Sequence, residues 1–367
     1  MKNHTEFQKL FARWKKQNYL SEEELLKTRN FEVNEFLKPL MLASTNNLSI
    51  ISACTFYRSL GRRCPSPELV LNSCSEISPH LMEVHVNHTL EQQFHQLPGK
   101  IRLEFRRRGI IIIDFHRDPY YGDPNNVYIN KKGISKSTNL SYCYLTADIY
   151  SPKGKQTIAV IHKAQTDRVE DLFFDILARI ECFFQPKLIL MDGEFTTARI
   201  LAALDSRGIQ YIGRRTITNR LRSFGLAYSL SDDWDKLRRY HRIIVQDKTK
   251  KFETAIYVTF LRKHNKIKAL VVSPQLNLSP KEAEKLYDRR FGIESGYRDK
   301  HIFQARTTSK NLSVRYILFL FAIILWNLWQ TFLMLLTTPK STSLSCLAQW
   351  RRRLRTVRLF LLRDELL

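Results

Sequence analysis

The sequence predicts an α/β fold: a mixed five-stranded sheet flanked by helices, with a β-rich insertion before the last helical part and a helical region in front. Three observations predict it. Two aliphatic runs each end in an aspartate, Ile110-Ile-Ile-Ile113 before Asp114 and Leu188-Ile-Leu-Met191 before Asp192, and short continuous apolar runs mark strands buried on both faces. Strand-like and helix-like segments alternate between these acids and beyond them. Farther on, Tyr287, Arg290 and Glu294 are spaced by three and then four residues, which places them on one face of a helix.

The elements follow in order. Residues 1–100 alternate helical runs with breaks; Ser21 before three glutamates reads as a helix N-cap with acids in the first turn. Asn47–Leu60 and Glu68–Cys74, separated by Gly61-Arg-Arg-Cys-Pro65-Ser-Pro67, read as helix, turn, helix. In a DNA-binding module of that form the second helix enters a major groove, although any small helical bundle reads the same way. Ile110–Asp114 is the first strand. Ser141–Tyr150 and Gln156–Lys163 are the second and third, joined by a hairpin turn at Ser151-Pro-Lys-Gly154. A helix over Arg168–Phe184, a strand over Lys187–Met191, a helix over Thr196–Arg207 and a strand over Gly208–Gly213 complete the series. Three strands, helix, strand, helix, strand, with acids at the ends of the first and fourth strands, is the order of the RNase H-like fold.

Residues 216–280 turn to β patterning, with strands expected over Arg242–Gln246, Phe252–Leu261 and Lys266–Ser273. Trp234 is the only tryptophan there; it either stacks on an unpaired base or packs in a core. Tyr316–Leu336 is almost uniformly apolar, interrupted by Asn327, Gln330 and Thr331. It is nearly long enough to cross a bilayer, and an apolar helix inside a large core has the same composition. After a linker at residues 338–344, Trp350-Arg-Arg-Arg353 reads as a basic C-terminal helix.

Charge narrows the partners. Lys and Arg outnumber Asp and Glu, 59 to 35, for a net charge of +24 spread along the chain, so a polyanion, DNA or RNA before a membrane surface, is expected. The six cysteines form no Cys-x-x-Cys pair and follow no secretory leader, which predicts a reduced, cytoplasmic setting. Cys54, Cys64 and Cys74 lack the paired spacing of a zinc site.

Three acids from separate segments, Asp114, Asp192 and Glu294, offer hard oxygen ligands. Such ligands suit Mg²⁺ or Mn²⁺, two of which activate an attacking oxygen and stabilise the leaving one in phosphoryl displacement. Nuclease or strand-transfer chemistry follows. Asp118 and Glu194, close in sequence to two of these acids, are the alternates.

At these residues the chain resembles the DDE transposases of prokaryotic insertion sequences, in the group with a Tyr-x2-Arg-x3-Glu-x6-Lys signature. Tyr287, Arg290 and Glu294 match it; the lysine would fall at 301, where this chain has His301, with Lys300 one residue early. Asp114-Phe-His-Arg-Asp-Pro119-Tyr-Tyr-Gly122 and Met191-Asp192-Gly-Glu-Phe195 look like the family's surroundings of its first and second aspartates. The resemblance spans about residues 105–335. It implies a transposase that cuts and joins DNA at its element's ends, with Asp114, Asp192 and Glu294 as catalytic ligands of two Mg²⁺ or Mn²⁺ ions. Tyr287, Arg290, Lys300 or His301, and Trp234 would contact DNA.

The implied organisation is a helical DNA-binding region at 1–100, catalytic core at 101–215 and 281–337, the insertion at 216–280 and a basic helix at 338–367. Double-stranded DNA, as element ends and target, is the expected partner, bound by a dimer away from membranes, in the cytoplasm on the nucleoid. A nuclease without strand transfer, a DNA-binding derivative of a transposase, and a membrane protein anchored by Tyr316–Leu336 are the alternatives.

Overall fold

A computed structural model of the chain describes residues 33–131, 138–216, 221, 240–246, 253–263, 266–290 and 300–336. Among the described residues five helices come first: α1 (Val33–Asn46), α2 (Ile50–Ser59), α3 (Pro67–Glu76), α4 (Pro79–His95) and α5 (Gly99–Arg108). Their starts are encoded locally. Ser49 and Ser66 cap α2 and α3 by accepting the backbone N–H of Ser52 and Leu69, and prolines occupy the first turns of α3 and α4, where a missing N–H costs nothing. Asn47, at a φ of 54°, ends α1 in the left-handed region that asparagine tolerates better than most residues.

The sheet strands are β1 (Ile110–Pro119), β2 (Ser141–Ser151), β3 (Gly154–Lys163), β4 (Leu188–Met191), β5 (Gln210–Arg215), β6 (His241–Gln246), β7 (Glu253–Lys263) and β8 (Lys266–Val272). Helices α6 (Val169–Glu181) and α7 (Ala198–Ser206) lie between β3 and β5, and α8 (Pro280–Asp288) and α9 (Leu312–Leu336) follow the last strand. All eight strands form one sheet in the order β3-β2-β1-β4-β5-β8-β7-β6. This corrects the five-stranded expectation. The first five strands occur where the sequence places them, but the insertion adds three more, because β8 pairs antiparallel with β5 from Ile212↔Val272 to Arg215↔Ala269.

A second correction concerns β1. Asp114 does not end the strand, which runs on to Pro119 against β2. What ends there is the parallel pairing: Ile113↔Met191 is the last β1–β4 partner pair. The apolar run stops because β4 stops, and beyond it only β2 remains as a neighbour.

Side-chain alternation divides the core. Ile111, Ile113 and Phe115 point into a cluster with α6, α7 and Phe105 of α5. On the other face, Tyr142, Tyr144 and Val160 pack under α9 and the N-terminal helices, whereas Ile110, Ile112, Leu190 and Ile212 pack under α8 through Ala283 and Tyr287. That face therefore carries two separate apolar patches, and Asp114 and Asp192 continue its alternation at the seam between them.

The edge strand β3 is covered by α4. Asn87 donates to the Val160 carbonyl at 2.8 Å and accepts its N–H at 2.9 Å, and Glu83 accepts the His162 N–H at 2.8 Å, so side chains take the place of a missing strand. The pairing of β2 with β3 shifts between Ala147↔Ala159 and Asp148↔Thr157, leaving Ile158 as an extra residue, a β-bulge. The amide of Asn327 fills this gap, accepting the Thr157 N–H at 2.8 Å and donating to the Thr157 carbonyl at 2.8 Å. The polar interruptions of the apolar run are thus partners for a bulge. Helix α9 is long and apolar enough to cross a membrane, but 94% of its most apolar window is buried within the protein, so its surface already faces protein rather than lipid.

Candidate active site

Asp114 stands mid-strand in β1, opposite Thr146, with 15% of its side chain exposed. Its own Oδ1 accepts the N–H of Phe115 at 2.9 Å, and its Oδ2 accepts from Arg290 at 2.8 Å. Burial pushes its pKa up from 3.8 to about 6; Arg290 opposes the shift, and the nearby charge of Asp192 adds to it. Asp192 follows β4 and opens the single-turn helix Gly193–Phe195 without capping it through its side chain. The next turn is held down by Thr196, whose hydroxyl donates to the carbonyls of Gly193 at 3.0 Å and Arg214 at 3.1 Å. Only a glycine fits opposite: a Cβ on Gly213 would come within 2.4 Å of Thr196 Cγ2. Two carboxylates thus sit at neighbouring ends of a parallel strand pair, coupled closely enough for one charge to shift the other's proton.

Tyr287 and Arg290 reach the same place by a different geometry from that expected. Helix α8 ends at Asp288, with Arg289 as C-cap, so Arg290 lies just past the helix instead of within one that continues. Its guanidinium is still 5.6 Å from the Tyr287 ring centroid. Tyr287 is buried in the patch under α8, where burial raises its phenol to about 12. Arg290 is 6% exposed and turned onto Asp114 rather than outward. Lys300 is 2% exposed and donates to both oxygens of Asp148 at 2.9 Å, with its ammonium 4.8 Å from the Trp326 ring centroid. In this arrangement Tyr287, Arg290 and Lys300 are buried and face the protein. A buried cation needs a local anion more than it needs solvent. His301 is exposed, its ring nitrogen 2.8 Å from Gln304 Oε1. Glu294 and Trp234 lie outside the described residues, as do 1–32 and the expected basic helix near Trp350.

The sequence profile described as Transposase DDE domain matches residues 107–328. The chain belongs to that family. Searching curated proteins returns no match to it. Among solved structures, the piggyBac transposase synaptic complex with hairpin DNA is similar, with a TM-score of 0.53 at 13% identity over 90% of this chain and 74% of that one. The NurA nuclease from Sulfolobus solfataricus gives a TM-score of 0.28 at 12% identity over 55% and 81%. The Mos1 transposase in a pre-cleavage transpososome gives 0.17 at 10% identity over 55% and 65%. The protein is thus a DDE transposase, an enzyme acting on DNA, and the matched region runs from the last turn of α5 into α9.

One buried acid near these residues escapes a reading by sequence. Asp148 lies within an otherwise apolar strand and is 2% exposed; a lone acid in such a run is a signal that a partner must exist, but not which one. The alternates to the named acids are already paired: Glu194 with Arg117 at 2.6 Å and Asp118 with Arg315 at 2.9 Å. Among the described residues no group of three metal-ligating side chains occurs. Asp114 and Asp192 alone supply two hard donors. Their chemistry fits a divalent cation, whose charge would offset the cost of ionising two neighbouring carboxylates, one of them largely buried. Such a cation would compete with Arg290 for Asp114.

Proposed function

We propose that this transposase is of the prokaryotic insertion-sequence type, cleaving DNA at its element's ends in a divalent-metal-dependent reaction and joining the freed 3′-hydroxyls to target DNA. The observation that supports the reading best is the placement of Asp114 and Asp192 at neighbouring ends of the β1–β4 parallel pair, with Arg290 on Asp114. In this reading Asp114, Asp192 and Glu294 hold two Mg²⁺ or Mn²⁺ ions. Those ions would supply activation of the attacking oxygen and stabilisation of the leaving one. The order β3-β2-β1-β4-β5 supports an RNase H-like core within the wider sheet.

The protein's own residues hold charge and position. Asp114 stays ionised near neutral pH once a cation is present, and Arg290 leaves Asp114 to meet a phosphate as DNA arrives. Arg289 and His301, both exposed, are described residues of the signature region able to approach the DNA backbone. The transposase works as a dimer on double-stranded DNA, in the cytoplasm on the nucleoid.

The test is an assay with pre-cleaved ends carrying a free 3′-hydroxyl, a supercoiled target and Mg²⁺. Joined products that vanish in Asp114→Ala, Asp192→Ala and Glu294→Ala, with DNA binding retained, are expected. Cleavage without joining would make the protein a nuclease of the same fold. Cleavage at wild-type rate in any of the three variants would remove that acid from the site.

A further inference from the structure

Lys300 and Asp148 form an ion pair that nothing in the reaction as described requires. Lys300 lies six residues beyond Glu294 in the sequence (300 − 294), and Arg290 lies four before it (294 − 290). Both cations end on the same sheet face: Arg290 on Asp114 of β1 and Lys300 on Asp148 of β2. Asp148 stands opposite Ile112, two residues from Asp114, which makes it a diagonal neighbour of Asp114 on that face. Asp148 also accepts the hydroxyl of Thr157, the residue at the bulge, and Trp326 of α9 stands 4.8 Å from the ammonium. Both partners are almost fully buried. An ion pair so placed contributes little net stability compared with apolar residues of the same size, because desolvation cancels most of the attraction. What it does is fix a register.

We propose that the Lys300–Asp148 pair is a buried clamp, in which both are positioning residues: it holds Lys300 and Trp326 of α9 against β2, the strand beside Asp114, and so sets the metal affinity of the site. The inference rests on the reading of Asp114, Asp192 and Glu294 as metal ligands. It assigns Lys300 a role other than gripping phosphate. Burial lowers the pKa of Lys300, and Asp148 and, more weakly, Asp114 oppose that shift, so clamp and site share one electrostatic environment.

The experiment measures Mn²⁺ binding to the full chain without DNA, by the loss of the free-ion electron paramagnetic resonance signal, beside thermal unfolding. Lys300→Met alone strands a buried carboxylate and lowers the melting temperature. The double variant Lys300→Met/Asp148→Leu removes one positive and one negative charge, leaving the local net charge unchanged, and recovers the melting temperature. Its Mn²⁺ dissociation constant nevertheless rises by about tenfold, the size of effect that residues supporting metal ligands have. If the double variant does not fold, Thr157→Val, which removes one hydrogen bond to Asp148, serves in its place, with an expected rise of about threefold. Wild-type Mn²⁺ affinity in the folded double variant, or in folded Thr157→Val, overturns the clamp. Failure of the underlying reading looks different: the wild type would then bind Mn²⁺ no better than Asp114→Ala does.

Discussion

Asp114 carries the most charge-dependent contact in the described site. Burial raises the pKa of its carboxyl from the usual 3.8 to about 6 in the folded protein. Between those values the folded state binds more protons than the unfolded one, so stability falls as pH rises through that window. Relative to Asp114→Asn, the wild type should lose about 2 kcal/mol between pH 4 and pH 7 without divalent cations. Thermal unfolding of both proteins across that range checks it, and parallel curves would refute it. Lys300 and His301 differ just as sharply despite being adjacent. Lys300→Ala leaves Asp148 buried and unpaired and should cost about 3–5 kcal/mol, whereas His301→Ala, at an exposed position, should stay within about 0.5 kcal/mol of wild type. Urea unfolding of the two variants ranks them, and equal losses would contradict the burial difference.

Among the elements, β3 with its bulge shows how a polar residue in an apolar helix finds its use. Asn327 of α9 binds both backbone groups of Thr157, and Gln156 donates to the Asn327 carbonyl at 3.0 Å and to Thr331 at 2.9 Å. Asn327→Leu makes α9 more hydrophobic yet leaves a buried N–H and carbonyl without their partner. It should therefore destabilise the protein by about 2–4 kcal/mol. A stability gain on denaturant unfolding would mean that water replaces the amide at the bulge. The helices α1 to α4 belong to the same packing: Cys54, Val70, Met82 and Leu90 share one cluster with α9, β2 and β3. The loop from Leu60 to Ser66 between α2 and α3 is longer than the tight turn of a helix-turn-helix, roughly three or four residues.

For the whole molecule, the net charge of +24 and the burial of α9 point the same way. DNA binding driven by phosphate neutralisation releases counterions, so affinity should fall by about 10³-fold between 50 and 200 mM salt. A filter-binding or fluorescence titration across that range measures the slope, and a flat response would remove the electrostatic basis for binding. With the apolar face of α9 already covered, recovery of the protein without detergent is expected on fractionation.

How much of this was legible in the sequence depends on how local the physics is. The aliphatic runs ending in Asp114 and Asp192 announced β1 and β4, and the alternation of segments placed the other strands of the first five within a few residues, because burial periodicity is written along the chain. The spacing of Tyr287, Arg290 and Glu294 suggested one helical face without revealing that α8 stops at Asp288. What only the tertiary structure decided were the partners across long separations: Arg290 on Asp114, Lys300 on Asp148, Asn327 on the bulge at Thr157, and β8 on β5. Each is a choice among many chemically equivalent ones. A buried charge or amide demands a partner of the right kind, and only the folded backbone, by bringing one candidate within about 3 Å, determines which residue fills that place.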